Sequence, residues 1–153
     1  GYIEVRTSTR RLSDLGGMAV RVPVLATVML IAALSSLGLP GLNSFAGEFL
    51  ALLGVFHTST IFGILGTAVV IPAAWYLIRF FQDTMEGPRQ KEGAVASLER
   101  KGLLDDLQLS EFGTLLPLLA LIFYIGVQPY PLTFLMEPAV VNTLQNVGTA
   151  LIR

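Results

Sequence analysis

Cysteine is absent from the sequence, which excludes disulfides, zinc-thiolate sites and iron–sulfur ligation within the chain. Charge is scarce as well. Asp, Glu, Lys and Arg make up 14% of the 153 residues, against roughly 25% in a soluble globular domain. No basic stripe offers itself to nucleic acid, so no nucleic-acid partner is expected. The sequence also lacks G-x-G-x-x-G, a Walker loop, G-x-S-x-G and any His/Asp/Glu cluster at metal-ligand spacing. No self-contained catalytic site, metal centre or cofactor is therefore expected in this chain.

Apolar residues are what the chain has in abundance: 53% hydrophobic, with a mean hydropathy of +0.67. They come in long blocks rather than in stripes of period 2 or 3.6, the pattern of helices with apolar surroundings on every side. The lipid bilayer is the expected solvent and an all-α integral membrane fold the expected class.

Residues 1–21 are polar, mix Arg6, Arg10 and Arg11 with Glu4 and Asp14, and contain no apolar h-region. They read as a cytoplasmic loop or surface helix of a chain taken up in mid-protein, not as a signal peptide. Residues 22–56 form the longest charge-poor run, with Glu48 as its only ionisable group. One straight helix of that length would measure roughly 50 Å, against a hydrocarbon core of about 30 Å. An interruption is expected at L-G-L-P-G, where Pro40 removes an N–H and clashes with the Ser36 carbonyl, and Gly38 and Gly41 permit unusual backbone angles. Two half-helices, from Val22 to about Leu37 and from about Asn43 to Phe56, would form one broken span.

A second span is expected over 60–78, kinked at Pro72, with Trp75 and Tyr76 at headgroup depth. Residues 79–111 hold most of the remaining charge and read as a cytoplasmic loop, with a short helix around Ala94 to Leu104. A third span is expected over 112–132, with Pro117 in its first turns. Val140, Leu144, Val147 and Leu151 then recur at helical spacing, which predicts an amphipathic surface helix over 138–152 with Pro138 at its first position. With three spans, nine of the ten Lys and Arg residues fall on the side of Gly1 and only Arg153 opposite. The positive-inside rule then places the N-terminal end in the cytoplasm.

Glu48 is the candidate proton-transfer residue. An acid at membrane depth is costly and marks an ion path by default, and a helix break nearby is the device transporters use to expose helix ends to ions. The competing reading is a carboxylate that snorkels to water, but Glu is short and an apolar F-L-A-L-L-G-V-F follows it. No Lys or Arg lies between Val22 and Ile78 or in the third span. A cationic partner must therefore come from other polypeptide. His57, alone and without a neighbouring acid, reads as a loop residue. Ala32 and Ser36 form a small-xxx-small pair, Tyr130 reads as an interface anchor, and Asp106 and Glu111 read as solvated or near a helix N-terminus.

T-S-T-R-R-L-S-D-L-G-G-M, S-L-G-L-P-G-L-N-S-F-A-G-E-F-L and the later L-S-E-F-G-T-L-L-P-L-L-A-L-I-F-Y-I-G-V-Q-P-Y-P together resemble the carboxy-terminal third of the antiporter-like membrane subunits of respiratory complex I. The likeness runs from about Thr7 to the C-terminus. Within that family, the position matching Glu48 is Glu in the NuoM-type (chain M) subunits and Lys in the L-type, N-type and Mrp-type relatives, so G-E points to the M-type. The resemblance implies proton translocation within an NADH:quinone oxidoreductase of a bacterial-type inner membrane. Glu48 would exchange protons with a central Lys and the outer aqueous phase. It also implies partners: the upstream spans of the same subunit and other membrane subunits of the complex. A related Mrp-type antiporter or membrane-bound hydrogenase subunit, and a purely structural membrane subunit, are the alternatives.

Overall fold

The computed structural model describes residues 2–7, 15–87, 98 and 105–151, and all regular structure among them is helical. Helix α1 spans Tyr2–Thr7 and a 3-10 turn spans Met18–Val20. The helices that follow are α2 (Pro23–Ser36), α3 (Asn43–Thr58), α4 (Thr60–Phe81), α5 (Leu109–Val127) and α6 (Tyr130–Leu151). Two are long and apolar enough to cross a membrane: α4 with the π-turn Gln82–Glu86 that continues it, and α5. Helix α2 is apolar but shorter.

Helix α2 opens on Pro23, whose missing N–H would be unpaired in the first turn anyway. The next two donors are taken by one distant carboxylate: Val24 N donates to Asp106 Oδ2 at 2.8 Å and Leu25 N to Asp106 Oδ1 at 3.1 Å. Asp106, read as solvated or near a helix N-terminus at the start of the third span, instead caps α2 from beyond two intervening helices. Asp106→Ala is expected to cost about 1–2 kcal/mol, read as a lower unfolding midpoint in detergent; Asp106→Asn, which keeps one acceptor, should lose less.

That cap closes the buried core, which gathers at one end of the bundle. Leu15, Met18, Val22, Leu25, Ala26, Phe81 and Met85 pack together, with Tyr2, Ile3 and Leu107 against them. The core explains why α4 runs on past the expected limit at residue 78. Arg79 stays in the helix with its guanidinium 5.4 Å from the Trp75 ring, and Phe81 and Met85 need the extra turns to reach Met18 and Val22. Gly87 ends the π-turn.

Three further boundaries differ from the sequence reading. Helix α5 begins at Leu109 rather than Phe112, because Gln108 and Glu111 form a reciprocal capping box, with Gln108 N donating to Glu111 Oε2 at 3.0 Å. Pro117 therefore lies well inside α5, not in its first turns. The helix stops at Val127 rather than near 132, and α6 starts at Tyr130 instead of Pro138. Pro129 and Pro131 open this helix: Pro131 sits in the first turn, where no N–H is needed, and the Pro129 carbonyl accepts from Leu132 and Thr133 at 3.1 Å each. Pro138 is an interior proline of α6. Along α6, residues 130–145 are exposed. The helix expected around Ala94 to Leu104 lies outside the described residues apart from Leu98.

Helices α3 and α4 form the closest antiparallel pair, brought together by small residues. A side chain at Gly63 would collide with the Phe56 ring, and one at Gly66 would stand 3.1 Å from Leu52 Cδ2.

Candidate functional site: the Glu48 pocket

Helix α2 ends in a Schellman motif. Gly38 adopts φ +66°, its N–H donates to the Ser35 carbonyl, and Leu39 N donates to the Leu34 carbonyl, both at 3.2 Å. Pro40 follows the stop, where the chain no longer needs a helical donor. Gly41 takes φ +93° and Leu42 leads into α3 in an extended conformation. Across the turn, the buried Ser35 hydroxyl donates to Asn43 Oδ1, tying the end of α2 to the first residue of α3. Sequence reasoning singled out neither residue. The signal was present in Ser35 before the glycines and Asn43 after them, since Ser and Asn are the side chains that bond locally at helix ends.

Glu48 lies in the second turn of α3. Because Cα–Cβ bonds tilt toward the helix N-terminus, its side chain reaches back over the break, and its carboxyl group rests on the α-carbon of Gly38. A Cβ built at Gly38 would stand 3.0 Å from Glu48 Cδ and closer still to Oε2. No side chain caps the first turn of α3, and the partial positive charge of a helix start favours an anion in its vicinity. Among the described residues the carboxylate has no hydrogen-bond or ion-pair partner.

The other side of Glu48 opens on a pocket of about 330 Å³ lined by Ser36, Leu37, Ala51, Leu52, Val55, Val69, Val70 and Ala73. Among the described residues that line it, Glu48 is the only ionisable one. Val69, Val70 and Ala73 occupy the middle of α4, roughly 15 Å from either end. The acid therefore lies level with the midpoint of a membrane-length helix.

The structure brings Gly38 and Glu48 together, while Gly41 meets a residue that sequence reasoning missed. Gly126, in the last turn of α5, packs its bare α-carbon on the Gly41 carbonyl and the Leu42 α-carbon. Pro40 is exposed on the turn, and Ser36 of the small-residue pair lines the pocket. His57 is exposed in the last turn of α3, and no cluster of metal-ligating side chains occurs among the described residues.

Comparison with known proteins places this arrangement. The family model described as "NADH:quinone oxidoreductase/Mrp antiporter, TM" matches residues 1–72, which contain α2, the break, α3 and Glu48. NADH-quinone oxidoreductase subunit M of Mycobacterium tuberculosis is 33% identical over 148 residues, covering 97% of this chain and 25% of that protein. Subunit M of Rhodobacter capsulatus is 33% identical over 146 residues, covering 95% and 27%. Over nearly its whole length the chain is similar to the antiporter-like M subunits of complex I. It spans about a quarter of the length of the curated relatives it matches. The likeness extends to three dimensions: a chain of "Respiratory complex I from Thermus thermophilus with bound NADH" superposes with a TM-score of 0.73 at 32% identity, covering 84% of this chain and 25% of that one. The M-type resemblance carried by G-E at Gly47 and Glu48 agrees with the names of these relatives.

Proposed function

We propose that this chain is part of a proton-translocating membrane subunit of an NADH:quinone oxidoreductase, and that Glu48 carries the proton. One observation supports the reading above the rest: a lone carboxyl group beside a helix break, level with the middle of a membrane-length helix, in an otherwise apolar pocket. Acids so placed are kept for ion transfer. The break leaves backbone N–H and carbonyl groups free of the helical ladder, which water or the carboxyl group can use.

The chain's own geometry defines half of a relay. Glu48 is exposed on the surface of this chain and no described Lys or Arg faces it. In the assembled subunit the remaining three quarters of the protein covers that face and supplies the cationic partner, the central Lys of the resemblance. Helices α2 and α3 together make one interrupted span, with the N-terminal end in the cytoplasm of a bacterial-type cell. Electron transfer and its cofactors belong to other subunits; this chain binds, holds and passes a proton at the Glu48 carboxyl oxygens. The similarity to subunits named M favours the oxidoreductase over an Mrp-type antiporter or hydrogenase assembly.

Isotope-edited infrared spectroscopy of the assembled complex tests the assignment. A carboxyl band belonging to Glu48 should change during turnover with NADH and quinone, and should be missing in Glu48→Gln. A Glu48 band indifferent to turnover would remove the residue from the proton path.

A further inference from the structure

We propose that Gly38 is a positioning residue for Glu48: its bare α-carbon is the seat on which the carboxyl group rests at the helix break. The inference builds on the reading of Glu48 as the proton carrier. It rests on a comparison between the two positive-φ glycines of the break. Gly38 and Gly41 have φ of +66° and +93°, so a side chain at either strains the backbone. Their surroundings differ. A Cβ at Gly38 would overlap Glu48 Oε2 and stand 3.0 Å from Cδ, whereas a Cβ at Gly41 would meet nothing within 4 Å.

The atoms in the way at Gly38 are the free end of a flexible side chain, not backbone. A methyl group there is accommodated by Glu48 swinging away into the pocket, which extends from the carboxyl group along Ala51, Leu52 and Val55. The acid would leave the turn at Gly38 and move among the apolar side chains of the pocket. Glycine at 38 therefore serves two ends: the left-handed stop of α2 requires it, and the absence of a Cβ leaves the place that the carboxyl group occupies. Position 41 serves only the backbone in this respect.

A pair of double-mutant cycles in the assembled, membrane-reconstituted complex separates the two roles. Gly38→Ala should slow proton transfer on the order of tenfold more than Gly41→Ala, the scale of loss expected when a reacting group is displaced by an ångström or less. Glu48→Asp, which withdraws the carboxyl group from Gly38 by one methylene, should slow it comparably. The double variant Gly38→Ala/Glu48→Asp should be slower than Glu48→Asp alone by no more than Gly41→Ala slows the unmodified complex, the share that backbone strain accounts for, because the shorter acid no longer occupies the seat. For Gly41→Ala with Glu48→Asp the two losses should multiply, as independent effects do. Multiplying losses in the Gly38 cycle too, or equal effects of the two alanines, would overturn the proposal. Should Gly38→Ala fail to assemble, Glu48→Asp decides alone: proton transfer at the unmodified rate would overturn it, and a slowed rate with a shifted carboxyl band would sustain it. The infrared band also separates this inference from the one beneath it. If Glu48→Gln pumps normally, the proton assignment fails, yet the seat still requires the Glu48 band to shift in Gly38→Ala and not in Gly41→Ala.

Discussion

Replacing Glu48 with Gln in the complete complex is expected to slow proton movement through this subunit by about a hundredfold or more, the lower range of what a positioned acid–base group contributes. The substitution is nearly isosteric. It leaves the contact with Gly38 and the filling of the 330 Å³ pocket in place, and with no described partner to lose, stability should change by less than about 1 kcal/mol. What the amide cannot do is accept and release a proton at physiological pH. Vesicles holding the variant should therefore oxidise NADH while acidifying their lumen less per electron, and subunit content should be unchanged. Normal acidification would instead support a structural membrane subunit whose acid only attends the donors at the start of α3. Reduced acidification with reduced subunit content would point the same way, because a proton carrier is expected to be dispensable for folding.

The helical class was legible because apolar blocks without period 2 leave no strand faces, and the local chemistry around Glu48 was legible because glycine and proline act through their own backbones. Gly38 and Pro40 announce a helix stop to any reader of the sequence. The manner of the stop was less clear. Pro40 was expected to force it by clashing with Ser36, whereas the Schellman bonds of Gly38 and Leu39 to Ser35 and Leu34 already close α2. The expected boundaries failed where distant residues decided them. Helix α4 runs to Phe81 because Phe81 and Met85 have a core to reach, and that core contains Leu15, Met18 and Val22 from the other end of the sequence. Pro138 misled in the opposite sense: it suggested a helix start, yet α6 begins at Tyr130, with Pro131 in the first turn where a missing N–H costs nothing, and Pro138 lies in its interior. Of the site itself, Glu48 stood out by charge alone. The contacts that hold it, Gly38 beneath the carboxyl group, Ser35 to Asn43 across the turn and Gly126 behind Gly41, are pairings in space that no spacing rule encodes.

Gly126→Val should be the most disruptive single change to the framework of the site. A Cβ at Gly126 would overlap the Gly41 carbonyl and the Leu42 α-carbon. Both belong to backbone, and the two residues are the last before α3 begins, so nothing there can rotate aside as Glu48 can at Gly38. Either the last turn of α5 moves away or the Gly41–Leu42 segment shifts and carries the start of α3, and Glu48 with it. Overpacking of this kind costs about 1–3 kcal/mol and occasionally more, enough to lower the unfolding midpoint and the amount of subunit assembled. Gly113→Ala supplies the comparison: it lies on the same helix with nothing within 4 Å of its Cβ, and alanine in place of helical glycine should leave stability equal or higher by up to about 1 kcal/mol. A pair of variants that behaved alike would mean that α5 does not buttress the break. If Gly126→Val alone loses assembly, and Gly126→Ala assembles but transfers protons slowly, then the position of Glu48 is set from both sides of the turn. Gly38 would leave room for the carboxyl group, and Gly126 would let α5 close on the backbone that carries it.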